Sequence, residues 1–312
     1  MRIHVARSAS ELDRLRGVWE FLHVQTPSAT LFQSFAWNRL AAITFATRES
    51  PFVVLAESDS GVSLLPAAIT SHGVGFIGEG LFDYRDFLSV GSADACEAAW
   101  TCLSQLQLPI RVRALRGEAV RERWSSFNPA SFVRAPQVLS REISGDDFGS
   151  THSRMERSLR RLTEQGAELR QYNGSAAKLL AFVYGQKGID FGDGQDSIFA
   201  DPLRIAFMIA ACGLDPAACE VFTWEARGAP IATLVTFRDG DFRRCYTTWF
   251  DRNWARYSPG SVLLYAVTRR SLLAGIDCDY MTGEQPYKLR FATSAEPLFR
   301  VEIPAGTTSL AA

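Results

Sequence analysis

The tripeptide Ser258-Pro259-Gly260 directly precedes an apolar run with helical spacing. A helix that starts here would present its first backbone amides, which have no partner inside the helix and carry a partial positive charge. Such amides bind phosphate groups, and Gly260 would let a ligand approach the backbone closely. Ser258 or Ser261 could add a hydroxyl group, and Arg256 could add a positive charge. An ordinary helix start, with Ser258 as N-cap and Pro259 as first helical residue, explains the same residues.

Two pairs of residues further along the chain could donate or accept protons. Asp277 and Asp279 share one face of a strand predicted at 276–281, so one of them could take a proton from an amine. Alternation of polar and apolar residues alone also explains both aspartates, because it places polar residues on the wet face of a half-buried sheet. Tyr287 and Lys288 follow a loop that leaves the end of this strand. A tyrosine hydroxyl can protonate a leaving thiolate, and a lysine can stabilise an oxyanion.

The segment 153–166 is predicted to form an amphipathic helix, because apolar residues recur in it at helical spacing. Arginines cover much of its remaining surface, namely Arg154, Arg157, Arg160 and Arg161. These cations could bind a phosphorylated substrate, the 3′-phosphate of a nucleotide or an RNA backbone. A solvated face whose charge is balanced by glutamates is the open alternative. The Gly- and Asp-rich segment 185–197 is predicted to be a long loop, and such loops are often functional.

The elements that must position these residues follow a simple order in the C-terminal half. Aromatic and β-branched runs separated by short Gly-containing turns predict an antiparallel meander of three strands. Trp249, on the last of these strands, could line a pocket. A helix and one further strand follow. The five predicted elements are strands 219–226, 230–238 and 242–250, helix 261–274 and strand 276–281.

The N-terminal half repeats this order more faintly after an initial helix. It is predicted to contain helix 9–24, strands 52–57 and 62–70, a Gly-punctuated third segment at 72–80, a segment at 84–90, helix 94–107 and strand 110–115. The chain therefore resembles two copies of one α/β unit, which we place at residues 1–145 and 146–312.

Bulk composition excludes several functional classes. A net charge of -1 gives the whole molecule no electrostatic preference for nucleic acid or anionic membranes. The six cysteines form no Cys-x-x-Cys pair and the four histidines are scattered, so no metal site is expected. No apolar run approaches the ~18 residues of a membrane span, and the amino terminus does not resemble a signal peptide. We therefore expect a cytoplasmic protein.

Three motifs in residues 228–291 go beyond generic patterns: Gly-x-Pro-Ile-Ala, Phe-Asp-x-x-x-Ala-Arg-Tyr-Ser-Pro-Gly-x-x-Leu and Gly-x-x-x-Tyr-Lys. Together they resemble the acetyltransferase-like domain of the CelD-type, cellulose-biosynthesis-associated proteins. Those proteins belong to the GNAT superfamily and are related to the Fem peptidoglycan aminoacyltransferases. The resemblance extends to the arginine-rich segment at 154–162 and covers about residues 145–291. The N-terminal half is similar to the same proteins more weakly.

The resemblance implies an α/β fold of tandem acyl-CoA N-acyltransferase (GNAT-like) units, with mixed, mostly antiparallel sheets flanked by helices. It implies that the loop of Arg256, Tyr257, Ser258, Pro259, Gly260 and Ser261 holds the pyrophosphate of acyl-CoA. The N-terminal copy lacks Ser-Pro-Gly before its helix and is expected to have lost this ability. Many relatives carry a Leu-His…Arg-Trp pattern that is absent here, although Lys187 stands near the position of its arginine. No general base is therefore carried over.

The sequence thus predicts transfer of an acyl group, acetyl in the first instance, from acyl-CoA to an amine of a small molecule or saccharide precursor. Tyr287 and Lys288 are the predicted acid and oxyanion-stabilising residue, and candidates for the base are Asp279, Asp251 and Glu284. Candidates for substrate binding are Arg160, Arg161, Lys187 and Trp249. Two alternatives remain open: a Fem-like, aminoacyl-tRNA-dependent transferase that touches RNA through its arginines, and a non-catalytic module in polysaccharide biosynthesis.

Overall fold

The computed structural model describes residues 1–78, 80–116, 129–143, 149–191 and 198–306. Its helices and strands, in chain order, are β1 (Arg2–Ala6), α1 (Ala9–Gln25), α2 (Phe35–Thr44), β2 (Ser50–Glu57), β3 (Gly61–Thr70), β4 (Gly73–Phe76), β5 (Leu88–Gly91), α3 (Ala93–Ser104), β6 (Ile110–Arg116), β7 (Ala130–Val138), α4 (Gly149–Glu164), β8 (Glu168–Asn173), α5 (Ala177–Phe191), α6 (Pro202–Cys212), β9 (Cys219–Ala226), β10 (Ala229–Asp239), β11 (Phe242–Phe250), α7 (Pro259–Leu273), β12 (Asp277–Asp279), α8 (Pro286–Leu289) and β13 (Ser294–Ile303). None of the helices in these ranges is long and apolar enough to cross a membrane.

The chain divides into two compact units. The first comprises Met1–Val133 together with Pro297–Ala312, and the second comprises Arg134–Glu296. The domain boundary predicted between residues 145 and 146 stays a prediction. Most of β13 contributes to the sheet of the first unit, where it pairs with β6.

The first unit is a sheet in the order β1-β2-β3-β4-β6-β13, with β5 paired to β3. Its pairings are antiparallel except between β4 and β6. Helix α3 packs on β2 and β3 through Trp100, which is fully buried. The apolar face of α3 therefore forms part of the core on this side of the sheet. The predicted helices and strands at 9–24, 52–57, 62–70, 94–107 and 110–115 are confirmed to within three residues.

The second unit is a sheet in the order β7-β12-β11-β10-β9-β8. Strands β9, β10 and β11 form the predicted antiparallel meander, and β12 returns parallel to β11 after α7. Val262, Leu263 and Leu264 of α7 pack into a core that also contains Met155 and Leu162 of α4. The prediction of an amphipathic helix around residues 153–166 is therefore confirmed.

The predicted loop at 185–197 is wrong for its first part, because residues 185–191 continue α5. Leu180, Tyr184 and Lys187 are buried at helical spacing, so packing on the sheet maintains the helix despite two glycines. A Cβ atom on Gly188 would lie 3.2 Å from the main-chain oxygen of Phe199, so this glycine allows the next segment to approach. Residues 192–197 lie outside the described residues.

The expectation of a wet sheet face is wrong for Asp279, whereas Asp277 is partly exposed. Asp279 has no exposed surface, and its Oδ2 accepts a hydrogen bond of 2.5 Å from Nη1 of Arg244. Its Oδ1 accepts from the backbone N–H of Met281 at 2.7 Å. Asp277 Oδ1 accepts from the N–H and hydroxyl of Ser140 at 2.8 and 2.7 Å. Alternation could not reveal Arg244 and Ser140 as partners, because they are distant in sequence from these aspartates.

Substitution of Asp279 by alanine is expected to destabilise the fold strongly. It would leave the buried Arg244 with only part of its compensating charge, and breaking such pairs lowers the free energy of unfolding by about 3 kcal/mol. Urea unfolding measures this loss. The matched control is Glu284→Ala, which breaks the exposed pair with Arg134 and should change the free energy by less than about 1 kcal/mol. Equal midpoints for Asp279→Ala and the wild type would contradict the structural role of the buried pair.

Candidate active site

Strands β11 and β12 pair over a short distance and then separate. Their parallel register joins residues 242–244 to residues 277–279. Strand β11 continues to Phe250 while paired only with β10, because β12 ends at Asp279. We call the side of residues 245–250 that faces away from β10 the open edge. In the described residues no strand pairs with it.

The hydrogen-bond register shows which main-chain groups face the open edge. The N–H of Asp251 donates to the oxygen of Ile231 at 2.9 Å, so Asp251 faces the side of β10. Alternate residues of an antiparallel strand face the same neighbour. Thr248 and Phe250 therefore direct their N–H and C=O groups away from β10, toward the open edge.

A β-bulge lies at the start of the open edge. Val235 pairs with Thr247 and Thr236 pairs with Cys245, so Tyr246 is an extra residue in β11. Bulges bend a strand and change the direction of its side chains, and they are frequent next to active sites. The bulge therefore marks the place where β11 changes from a fully paired to an open strand.

After β11 ends at Phe250, a short turn leads to the start of helix α7 at Pro259. Ser258 has a left-handed backbone (φ 52°, ψ 47°), which costs a residue with a side chain about 1 kcal/mol. Pro259 is the first helical residue, and the Ser258 hydroxyl makes no capping hydrogen bond. The N–H of Val262 donates to Ser258 O, whereas the N–H groups of Gly260 and Ser261 have no partner in the described residues. The predicted helix start is confirmed, and its amides are available to a ligand.

The connection between β11 and α7 is a 3-10 turn at Arg252–Tyr257. Asp251 caps it, because Oδ1 accepts from the N–H of Asn253 at 2.9 Å. The guanidinium of Arg256 is exposed and lies 4.7 Å from the centroid of the Tyr257 ring. A Cβ atom on Gly260 would lie 3.3 Å from the Phe250 ring, so the start of α7 packs against the end of the open edge.

Helix α8 presents Tyr287 and Lys288. The Tyr287 ring is half-buried, and burial raises the pKa of its hydroxyl, with a smaller contribution from the Cys245 thiol of the open edge. The hydroxyl therefore stays protonated at neutral pH. Lys288 is buried, and its Nζ donates to the main-chain oxygen of Thr282 at 2.7 Å.

Each of the three predicted candidates for the base already has a partner. Asp279 is bonded to Arg244 in the interior, and Asp251 caps the 3-10 turn. Glu284 accepts a hydrogen bond of 2.7 Å from Nε of Arg134 on the surface. Their catalytic roles stay predictions, and none of the three carboxylates is without a bond.

The predicted substrate-binding residues fall into two groups. Lys187 is buried, and its Nζ donates to the main-chain oxygen of Thr248 at 2.7 Å, at the open edge. Nε1 of Trp249 donates to Oδ2 of Asp190 at 3.2 Å. Sequence reasoning missed Asp190, although its position three residues after Lys187 on one helix was a usable signal.

Arg160 and Arg161 form the second group and are exposed on α4. Arg160 makes a long ion pair of 3.9 Å with Glu164. Within the described residues no contact joins either arginine to the open edge. The same ranges contain no group of three or more His, Cys, Asp and Glu side chains that could hold a metal ion.

The burial of Lys187 has an electrostatic consequence. Burial penalises the charged amine and lowers the pKa of Lys187 to about 8, although Asp190 opposes this shift. Nζ lies 4.3 Å from the centroid of the Phe199 ring, which forms one wall of its environment. The structure thus places at the open edge a buried amine whose pKa is below the ordinary lysine value.

Comparison with solved structures identifies the fold. A conserved protein of unknown function from Bacteroides thetaiotaomicron is 7% identical with a TM-score of 0.66, over 97% of this chain and 100% of that one. FemX is 9% identical with a TM-score of 0.60, over 96% and 97%. A tandem GNAT protein from the clavulanic acid biosynthesis pathway is 10% identical with a TM-score of 0.53, over 99% and 100%. At these identities the likeness shows the fold alone, and the predicted class of tandem GNAT-like folds is confirmed.

No curated protein matches the chain. Residues 149–289 match the family of acetyltransferase (GNAT) domains. This range contains the open edge, the start of α7 and Tyr287. Residues 149–289 therefore resemble a GNAT acetyltransferase domain, and this match supports an acyltransferase.

Proposed function

We propose that this protein transfers an acyl group, acetyl in the first instance, from acyl-CoA to an amine of a small molecule or saccharide precursor. The observation that carries the proposal is the position of the unpartnered amides of Gly260 and Ser261 at the end of the open edge. This arrangement lies inside the range that matches the GNAT family. The cytoplasmic location and the link to polysaccharide biosynthesis of CelD-type proteins, both expected from the sequence, are parts of this proposal.

The residues present fit the diphosphate of acyl-CoA. Two free amides at a helix amino terminus favour an anion, and the exposed guanidinium of Arg256 lies two residues before Ser258. Gly260 has no side chain that would cover these amides. The N–H of Thr248 and the N–H and C=O groups of Phe250 would hold the amide-containing arm of the same molecule.

The chain's own residues would then act on a thioester, which supplies an activated acyl group. Main-chain N–H groups at the open edge would polarise its carbonyl, and one such donor is worth about 10²–10³ in rate. The ammonium of Lys288 would support the same charge. Tyr287 would donate its hydroxyl proton to the departing thiolate, since burial keeps this hydroxyl protonated.

Gly260→Asp is expected to abolish binding of acetyl-CoA in calorimetry, or to weaken it at least about 10-fold. An aspartate at the second helical position would place its own negative charge at the free amides and repel the diphosphate. The fold should persist, because a carboxylate in the first turn of a helix is itself stabilising and the exposed Phe250 ring can move away from the new Cβ atom. An unchanged melting temperature beside lost binding is the expected result.

The matched control is Gly17→Asp on α1, which adds the same charge where a Cβ meets no atom within 4 Å. It should bind acetyl-CoA like the wild type. Binding by the wild type and by Gly260→Asp alike would refute the assigned diphosphate site. Absence of binding by the wild type, together with binding of aminoacyl-tRNA, would instead favour the Fem-like alternative. Binding of neither ligand would favour the non-catalytic module.

Tyr287→Phe is expected to lower kcat by about 100-fold, with little change in the KM for acyl-CoA, because only proton donation to the thiolate is lost. Thiol release during turnover measures both constants. Tyr172→Phe is the control. Tyr172 lies on β8, the last strand of this sheet, and its hydroxyl donates to Glu225 of β9, away from the open edge of β11. A wild-type kcat for Tyr287→Phe would exclude this residue as the acid.

A further inference from the structure

Lysine is almost absent from this chain. Only three of its 33 basic residues are lysines, Lys178, Lys187 and Lys288, and the others are arginines. Lys178 is exposed on α5, whereas the other two are 8% and 9% exposed. Two of the three lysines are therefore buried in a chain whose other basic residues are arginines. An amine differs from a guanidinium in one decisive respect, because it can lose its proton.

The amine of Lys187 lies at the open edge. Its Nζ donates to the oxygen of Thr248 at 2.7 Å, and the register shows that this oxygen faces away from β10. Thr248 precedes Phe250 by two residues, and the Phe250 ring packs against the start of α7 at Gly260. The amine and the free helix amides are thus at the same end of β11.

In the described residues, the elements next to Lys187 carry the following charged and titratable groups. Asp190 and the buried hydroxyl of Tyr184 share its helix, and Arg252 of the 3-10 turn bonds Asp190. Asp201 and Arg204, which pair with each other, begin α6 after Phe199. Asp190 opposes the lowering of the Lys187 pKa and also bonds Trp249 and Arg252.

We propose that the amine of Lys187 takes the proton from the acceptor amine during acyl transfer. The inference rests on the function proposed above and names its base. The acceptor nitrogen forms a bond to the acyl carbon, the carbon–sulfur bond breaks, and its electron pair goes to sulfur. One proton passes from the acceptor nitrogen to Nζ of Lys187, and Tyr287 gives one to sulfur. Exchange with water then restores both residues. The depressed pKa of Lys187 agrees with this role, since a neutral amine is available near pH 8.

The small number of lysines allows a direct test without substrate. Protein labelled with ¹³C-lysine should give three side-chain signals, which Lys178→Arg, Lys187→Arg and Lys288→Arg assign. The Lys187 signal should titrate at least one pH unit below the ordinary lysine value of about 10.4. Titration of Lys187 at the ordinary value would overturn the proposal, whatever the enzyme acylates.

Kinetics of Lys187→Arg give the second test. Arginine keeps the positive charge and can bond Thr248 but cannot accept a proton, so kcat should fall about 100-fold or more while acetyl-CoA still binds. Wild-type kcat should rise with pH up to about 8, and this limb should be lost in the variant. Any part of the pH dependence of kcat that belongs to the acceptor amine would persist in both proteins. The difference between the two pH profiles therefore reports the protonation of Lys187.

The outcomes separate this inference from the proposed function. Wild-type turnover by Lys187→Arg, beside loss of binding in Gly260→Asp, would leave the transferase intact and overturn the role of Lys187. Loss of turnover with an unchanged pH limb would make Lys187 a positioning residue and also overturn the proposal. Failure of the wild type to bind acyl-CoA would remove the function and this inference together.

Discussion

The bond between Arg244 and Asp279 lies at the last position where β11 and β12 pair, and the site depends on it. A buried carboxylate needs its charge and its lone pairs satisfied. Asp279 obtains the first from Arg244 and the second from the N–H of Met281. Met281 has a positive φ of 62°, so this second bond holds the chain in a turn that β12 cannot continue. The same carboxylate therefore ends the strand and separates it from β11.

An open strand edge is a liability, because unpaired N–H and C=O groups attract other strands. Here the edge is short and begins with a bulge at Tyr246. One of its oxygens, that of Thr248, is already bonded to Lys187. These features limit nonspecific pairing and leave the edge free for a ligand that can supply matching donors and acceptors. The helix amides at Gly260 then give the ligand a charged end to bind.

Local patterns were sufficient to predict the meander and the start of α7. Period-2 alternation and short turns determine strands β9 to β11, and Pro259 with Gly260 determines where the helix begins. The left-handed backbone of Ser258 could not be predicted, because serine rarely adopts it and only the neighbouring fold imposes it.

Long-range partners account for the remaining differences. Asp279 is assigned to a wet face by alternation, yet its partner Arg244 lies 35 residues away on a neighbouring strand. The glycines of α5 resemble a loop, yet burial of that helix on the sheet outweighs their low propensity. The free edge of β11 follows from where β12 stops, and no local pattern records that position.

The electrostatics of the site explain why an amine would suit the proposed base position better than a carboxylate. The amino terminus of α7 carries a partial positive charge, which stabilises nearby anions and so makes a carboxylate a weaker proton acceptor. Burial instead penalises an ammonium ion, and it lowers the pKa of Lys187 to about 8. A diphosphate bound at the start of α7 would add negative charge and favour the charged form of an amine near it. Burial of Lys187 is therefore the factor that would keep the proposed base able to accept a proton while the diphosphate site is occupied.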